Sequence, residues 1–205
     1  MGQYYKCVNL TKKQKVEPHD FENGAKLMEH SYIGNKFMNV IENLLSPNGS
    51  WYKNSIVHAG DYMENAIFIE DTKPYVEGED LFSEEVTGRN LYEVASEYIY
   101  SKRTNVEKLQ EPRFLVNWDK REFVNVSNII PDDYWVDKEG IEHPLRIHPL
   151  SLLTSSGNGQ GGGDYHPHED DEHYVGSWAG HTISVEFEQP TDMTEINPNF
   201  REDRE

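Results

Sequence analysis

The sequence predicts an α+β fold: a single domain with a mainly antiparallel sheet and two or three packed helices. Three observations lead there. Short apolar and β-branched runs recur along the chain, one clear helical stripe interrupts them, and the cleanest strand pair reads as a hairpin. In 205 residues there is no internal repeat and no long low-complexity linker. Residues 1–198 therefore read as one domain and residues 199–205 as a frayed acidic tail.

Residues 3–10 mix aromatic and apolar side chains as a strand does, and Thr11 to Lys15 follow as a basic turn or strand end. Apolar side chains then fall at 37, 38, 40, 41, 44 and 45, which is helical spacing, and Ser46-Pro47-Asn48-Gly49 stops it. Residues 55–59 and 66–69 are strand candidates on either side of Gly60-Asp61-Tyr62. A second helix is expected from Asn90 to about Lys102, with Leu91, Val94, Ala95, Tyr98 and Ile99 on one stripe. Period two returns after Pro112: residues 114–118 and 122–126 flank Asp119-Lys120-Arg121 as a hairpin. Residues 131–140 read as a polar loop and residues 182–188 as the final strand.

Acids outnumber bases 37 to 19, a formal charge of -18. That balance excludes a conventional DNA or RNA binder, which needs a basic face against phosphate. The single cysteine, Cys7, excludes a disulfide scaffold and a Cys-based zinc finger. No apolar run approaches the roughly 18 residues of a membrane span, no signal peptide opens the chain, and Lys6 stands where a myristoylation motif wants Ser or Thr. The expectation is a cytoplasmic protein, in the host cytoplasm if phage-encoded. The charge gathers in residues 51–100 and 151–205. Glu77, Glu79, Asp80, Glu84 and Glu85, with Glu169, Asp170, Asp171 and Glu172, are the candidate face for a host protein with a basic surface.

Residues 157–181 are richest in chemistry. Six of the nine histidines lie between His143 and His181. Imidazole and carboxylate together suit a divalent metal, and an H-x-H pair on a strand would turn both rings to one face. His166, His168, Glu172 and His173 are thus the candidate ligands, and no other cofactor is expected. The cupin pattern that begins this way fails outside these positions and leaves too little chain for a jelly roll. Gly157, Asn158, Gly159, Gly161, Gly162, Gly163, Asp164 and Tyr165 form a glycine loop able to bring backbone N–H groups close to a ligand. It lacks a Walker or Rossmann signature, and its acids disfavour phosphate. Glu29, His30, Asp61, His148 and Asp164 could converge for acid–base work, with Glu29, His30, Asp61 and Asp164 the catalytic candidates. No nucleophile elbow, zincin pair or Cys nucleophile signature appears, which leans against an enzyme.

Several blocks carry a resemblance: Met1-Gly2-Gln3-Tyr4-Tyr5, residues 23–31, Ala59-Gly60-Asp61-Tyr62, Leu115-Val116-Asn117, Ile147-His148-Pro149-Leu150, residues 157–165 and Val175-Gly176-Ser177-Trp178-Ala179. In this order they resemble a family of small phage and bacterial proteins that share this opening and the glycine loop. The resemblance covers most of the chain. It implies a phage or mobile-element setting and makes the glycine loop, rather than its His-rich continuation, the family feature; no catalytic role comes with it.

The first functional expectation is an acidic binding protein that inhibits or sequesters a host component, such as part of a defence system. The alternative is a small-molecule or nucleotide-binding protein, or an enzyme, using the 157–165 loop with Glu29, His30 and Asp61. A third is a metalloprotein at the His-rich segment.

Overall fold

Every residue of β1 (Tyr5–Asn9) is buried, so its two faces meet two different apolar layers. The computed structural model describes residues 2–63, 90–101, 105–159, 161–168 and 170–201. β1 turns back through Lys13, whose φ is 50°, into β2 (Gln14–Val16), with Cys7 opposite Val16. The short helix α1 (Leu27–His30) precedes α2 (Lys36–Leu45), where Asn35 caps the amino end by accepting from the Phe37 N–H at 2.8 Å. Phe37, Met38, Val40, Ile41, Leu44 and Leu45 are buried, as the apolar spacing predicts. Each such side chain contributes about 1.5–3 kcal/mol relative to exposure.

β3 (Asn54–Gly60) pairs antiparallel with β1, Cys7 facing His58. After α3 (Leu91–Val94) comes β4 (Ile99–Tyr100), parallel to β2 at the sheet edge. β5 (Phe114–Asn117) and β6 (Glu122–Asn125) form the expected hairpin. β7 (Asp133–Val136) and β8 (Glu142–Leu145) make a separate two-stranded ribbon. α4 (Pro149–Leu153) leads into β9 (Ser155–Ser156), which runs parallel to β3. β10 (Thr182–Glu186) joins β5 to β3, and β11 (Thr194–Glu195) adds parallel to β6.

Among the described residues the main sheet has nine strands, in the order β11-β6-β5-β10-β3-β1-β2-β4 with β9 beside β3. Alternation along the strands sorts the side chains. Tyr5, Cys7, Ile56, Leu115, Ile183 and Val185 face the helical layer of α1, α2 and α4. Val8, Val57 and Ala59 face a smaller layer with Met63, Leu91 and Ala95. This is one α+β domain with mostly antiparallel pairing.

Several expectations need correction. The helix over 90–102 stops at Val94, passes through a 3-10 turn (Ala95–Glu97), and becomes β4. Lys15 causes this: its ammonium reaches the Ser96 carbonyl at 2.9 Å and lies 4.5 Å from the Tyr100 ring, holding the segment against β2. The loop over 131–140 contains β7. Asp137 caps its turn by accepting from the Glu139 and Ile141 N–H groups at 3.0 and 2.8 Å. β10 is not the final strand, since β11 follows it. Within the segment read as a tail, Phe200 is buried edge-on against Tyr165, and the Arg201 N–H donates to the Tyr165 hydroxyl at 3.0 Å. The strand candidate at 66–69 and the acids at Glu77, Glu79, Asp80, Glu84, Glu85 and Glu169 lie outside the described residues.

Candidate functional site

The glycine loop closes one wall of a cavity of about 320 Å³ whose other walls come from distant parts of the chain. β9 runs beside β3 and delivers Ser155, Ser156 and Gly157 to it; Tyr5 of β1 and Leu27 of α1 face them. Val175, Gly176 and Ala179 form the remaining side, tied down where the Gly176 and Trp178 N–H groups donate to Leu152 and Leu153 carbonyls at 2.8 and 2.7 Å.

Two glycines are demanded by close approach. A Cβ on Gly157 would lie 2.3 Å from the Tyr5 hydroxyl, and one on Gly161 would lie 2.3 Å from Gln3 Cβ and 2.5 Å from the Gln3 nitrogen. The loop then turns at Gly161–Asp164. The Asp164 N–H donates to the Gly161 carbonyl at 2.9 Å, and the Gly161 N–H returns a bond to Asp164 Oδ2 at 2.8 Å. The Gly163 carbonyl accepts from the Met28 N–H at 3.0 Å, which seats the loop on α1.

Asp164 is the polar centre, only 5% exposed on the cavity wall. With its nitrogen turned toward Asp164, the Gln3 amide donates to Asp164 Oδ2 at 2.8 Å and to the Tyr5 hydroxyl at 2.7 Å, while its oxygen accepts from the Tyr62 N–H at 2.9 Å. The Tyr5 hydroxyl in turn hydrogen-bonds to Asp164. Asp164 Oδ1 has no hydrogen-bond partner. Burial pushes this carboxyl above the ordinary range, opposed by the Gly161 N–H and the Tyr5 hydroxyl. The Tyr5 phenol is pushed up by the same burial and by the Asp164 charge. Asp61, hydrogen-bonded by the Tyr4 N–H, is raised by burial first and also by Asp164.

The sequence candidates therefore divide. Gly157, Gly159, Asp164 and Tyr165 line the cavity, while Asn158, Gly161, Gly162 and Gly163 shape the loop without lining it. Asp61 braces the entry to β1, accepting from the Tyr4 N–H at 3.0 Å. Glu29 caps α1 by accepting from the Lys26 N–H at 3.0 Å and points outward. His30 is fully buried in the core, its Nδ1 3.1 Å from the Gly24 carbonyl and its ring edge-on to Phe37. His148 accepts from the Leu150 N–H at 3.2 Å and stands 3.2 Å from Glu42. The proposed acid–base constellation is thus not one site. Gln3, Tyr5, Leu27, Ser155 and Ser156 were missed because buried positions such as these look like ordinary core in sequence.

The His-rich segment also departs from expectation. His166 and His168 lie in irregular chain, not on a strand, because Pro167 and the turn bonds from Asp171 and Glu172 N–H groups to the His168 carbonyl break the extended path. Among the described residues no group of three His, Cys, Asp or Glu is arranged to hold a metal ion, so His166, His168, Glu172 and His173 do not form a centre. Of the acids expected on a docking face, Asp170 and Glu172 are exposed, but Asp171 is buried and accepts a bond from the Tyr165 hydroxyl. No helix of the described residues is long and apolar enough to cross a membrane.

No protein family, curated protein or solved structure matches this chain.

Proposed function

We propose that the chain binds a small polar molecule carrying hydrogen-bond donors, an amine or a polyol, in the cavity walled by the 157–165 loop. The observation that carries this is Asp164, a nearly buried carboxyl on the cavity wall with one oxygen unsatisfied. A buried acceptor without a partner costs about 1–3 kcal/mol, which a donor on a ligand would recover. The cavity volume sits at the small end of ligand sites. Anions are disfavoured by Asp164 with Asp61 near it. Five of the sequence blocks that carry the phage-protein resemblance contribute to this region: Gln3 and Tyr5, Leu27, Asp61 and Tyr62, the loop itself, and Val175 to Ala179. A thermal-shift panel of primary amines, polyols, carboxylates and nucleotides tests the reading. Stabilisation by an amine or polyol, absent in Asp164→Asn, supports it; stabilisation by carboxylates or nucleotides alone overturns it.

A second reading, an acidic phage or mobile-element protein that occupies a basic host surface, draws support from the ribbon of β7 and β8. Tyr134, Trp135, Val136 and Ile141 are all more than half exposed there, beside Asp133, Asp137, Glu139 and Glu142. Aromatic anchors with an acidic surround suit a basic protein partner. Host protein captured by the chain should be lost in Trp135→Ala and between about 0.05 and 0.5 M salt. Capture indifferent to both removes this reading.

A further inference from the structure

Beyond Tyr165 lies a second cavity, of about 430 Å³, that neither the glycine loop nor the acidic ribbon uses. Tyr165 separates the two: it lines the first cavity, while its hydroxyl donates to Asp171 Oδ2 and accepts from the Arg201 N–H at 3.0 Å. Asp171 and Arg201 both line the second.

We propose that this second cavity binds a small zwitterion of the α-amino-acid type, its ammonium at Asp171 and its carboxylate at Arg201. Asp171 is 3% exposed, and its Oδ1 has no hydrogen-bond partner. A carboxylate so placed calls for a positively charged donor, because an unsatisfied buried oxygen is costly and a charged one more so. Asp170, exposed on the same cavity, adds to that pull.

Arg201 supplies the opposite pole. Asn199, with its amide oxygen turned inward, accepts from Arg201 Nε and Nη2 at 3.2 Å each, which aligns the planar guanidinium. An aligned guanidinium is the preferred partner of a carboxylate. A plain amine would meet the repulsion of Arg201, and a plain carboxylate that of Asp170 and Asp171. A ligand with both charges satisfies each, and the Asn197 amide beside them adds a neutral polar contact site.

The experiment is calorimetric titration of the full chain with the common L-amino acids, and with the amine and the carboxylic acid matching any that binds. At least one amino acid should bind one-to-one, with each singly charged counterpart weaker by about tenfold or more. Arg201→Gln, an exposed position whose circular dichroism should match the parent, should weaken binding by a similar factor. Asp171→Asn should abolish it. Because Asp171 also anchors Tyr165, the Arg201 variant decides the matter if the Asp171 variant does not fold. The proposal is overturned if no amino acid binds, if the amine or acid binds equally well, or if Arg201→Gln binds unchanged. Asp164→Asn leaves this binding intact, which separates it from the first cavity.

Discussion

Arg113 Nε donates to Glu42 Oε1 at 2.7 Å with neither side chain exposed, so the core between α2 and β5 contains an ion pair. His148 Nε2 stands 3.2 Å from the same oxygen, and Glu111 holds the other end of the guanidinium. Burial alone would push the Glu42 carboxyl up; His148 and Arg113 bring it below its usual range instead.

Removing one member strands the other charge. Arg113→Met should lower stability by about 3–5 kcal/mol, read from urea unfolding. Pairing it with Glu42→Leu should recover much of that loss, because the double variant leaves no buried charge. A single variant as stable as the parent would mean that the pair is not buried in solution.

Acid should weaken the fold through buried histidines. Burial pushes His30 down to about 4, and His58, whose ring stacks 6.5 Å from it, is lowered well below its ordinary value by burial and by His30 and His148. The unfolded chain takes up these protons near pH 6.5, but the folded chain resists until lower pH. Their contribution is therefore complete above about pH 6.5 and is lost as pH falls toward 4, by about 3 kcal/mol for His30. Glu42, also depressed, acts in the same direction. His30→Phe should flatten the profile between these limits, and an unchanged slope would contradict the burial.

Asp164 works the other way. Its raised value favours the folded state at low pH, and that advantage is lost as pH rises through the folded value. Asp164→Asn should accordingly raise the melting temperature at neutral pH while removing ligand stabilisation. A variant less stable at neutral pH than the parent would show that the carboxylate is satisfied by its neighbours.

The loop should tolerate a methyl at one glycine and not at its neighbour. Gly161→Ala drives a carbon into the Gln3 backbone and should cost about 1–3 kcal/mol, with loss of binding in the first cavity. Gly162→Ala, where a Cβ meets nothing within 4 Å, should be close to neutral in both assays. Equal effects would mean that the loop does not rest on Gln3.

Periodicity made α2 and the β5–β6 hairpin legible, because their apolar side chains recur at the spacing each element requires and are buried there. It misled at 90–102, where a helical stripe was real for a single turn before Lys15 and β2 captured the rest as an edge strand. The β7–β8 ribbon was invisible because Tyr134, Trp135 and Val136 all stay exposed, leaving no inside-outside contrast to read. Of the candidate site, Gly157, Gly159, Asp164 and Tyr165 could be picked out by their glycine context. Gln3 and Tyr5 could not, since their role arises from pairings with residues more than 150 positions away. His30 stood out as a polar residue in apolar company, and it proves to be a core histidine.

Whether the first cavity is a binding site is tested most directly by amide NMR during titration with the amine and polyol panel. The expected result is that resonances of Gly157, Gly159, Asp164 and Gly176 shift together with one such compound, and that Asp164→Asn silences the response. If no amine or polyol moves them, while shifts appear only along Tyr134, Trp135 and Ile141, ligand recognition belongs to the acidic ribbon and not to the glycine loop.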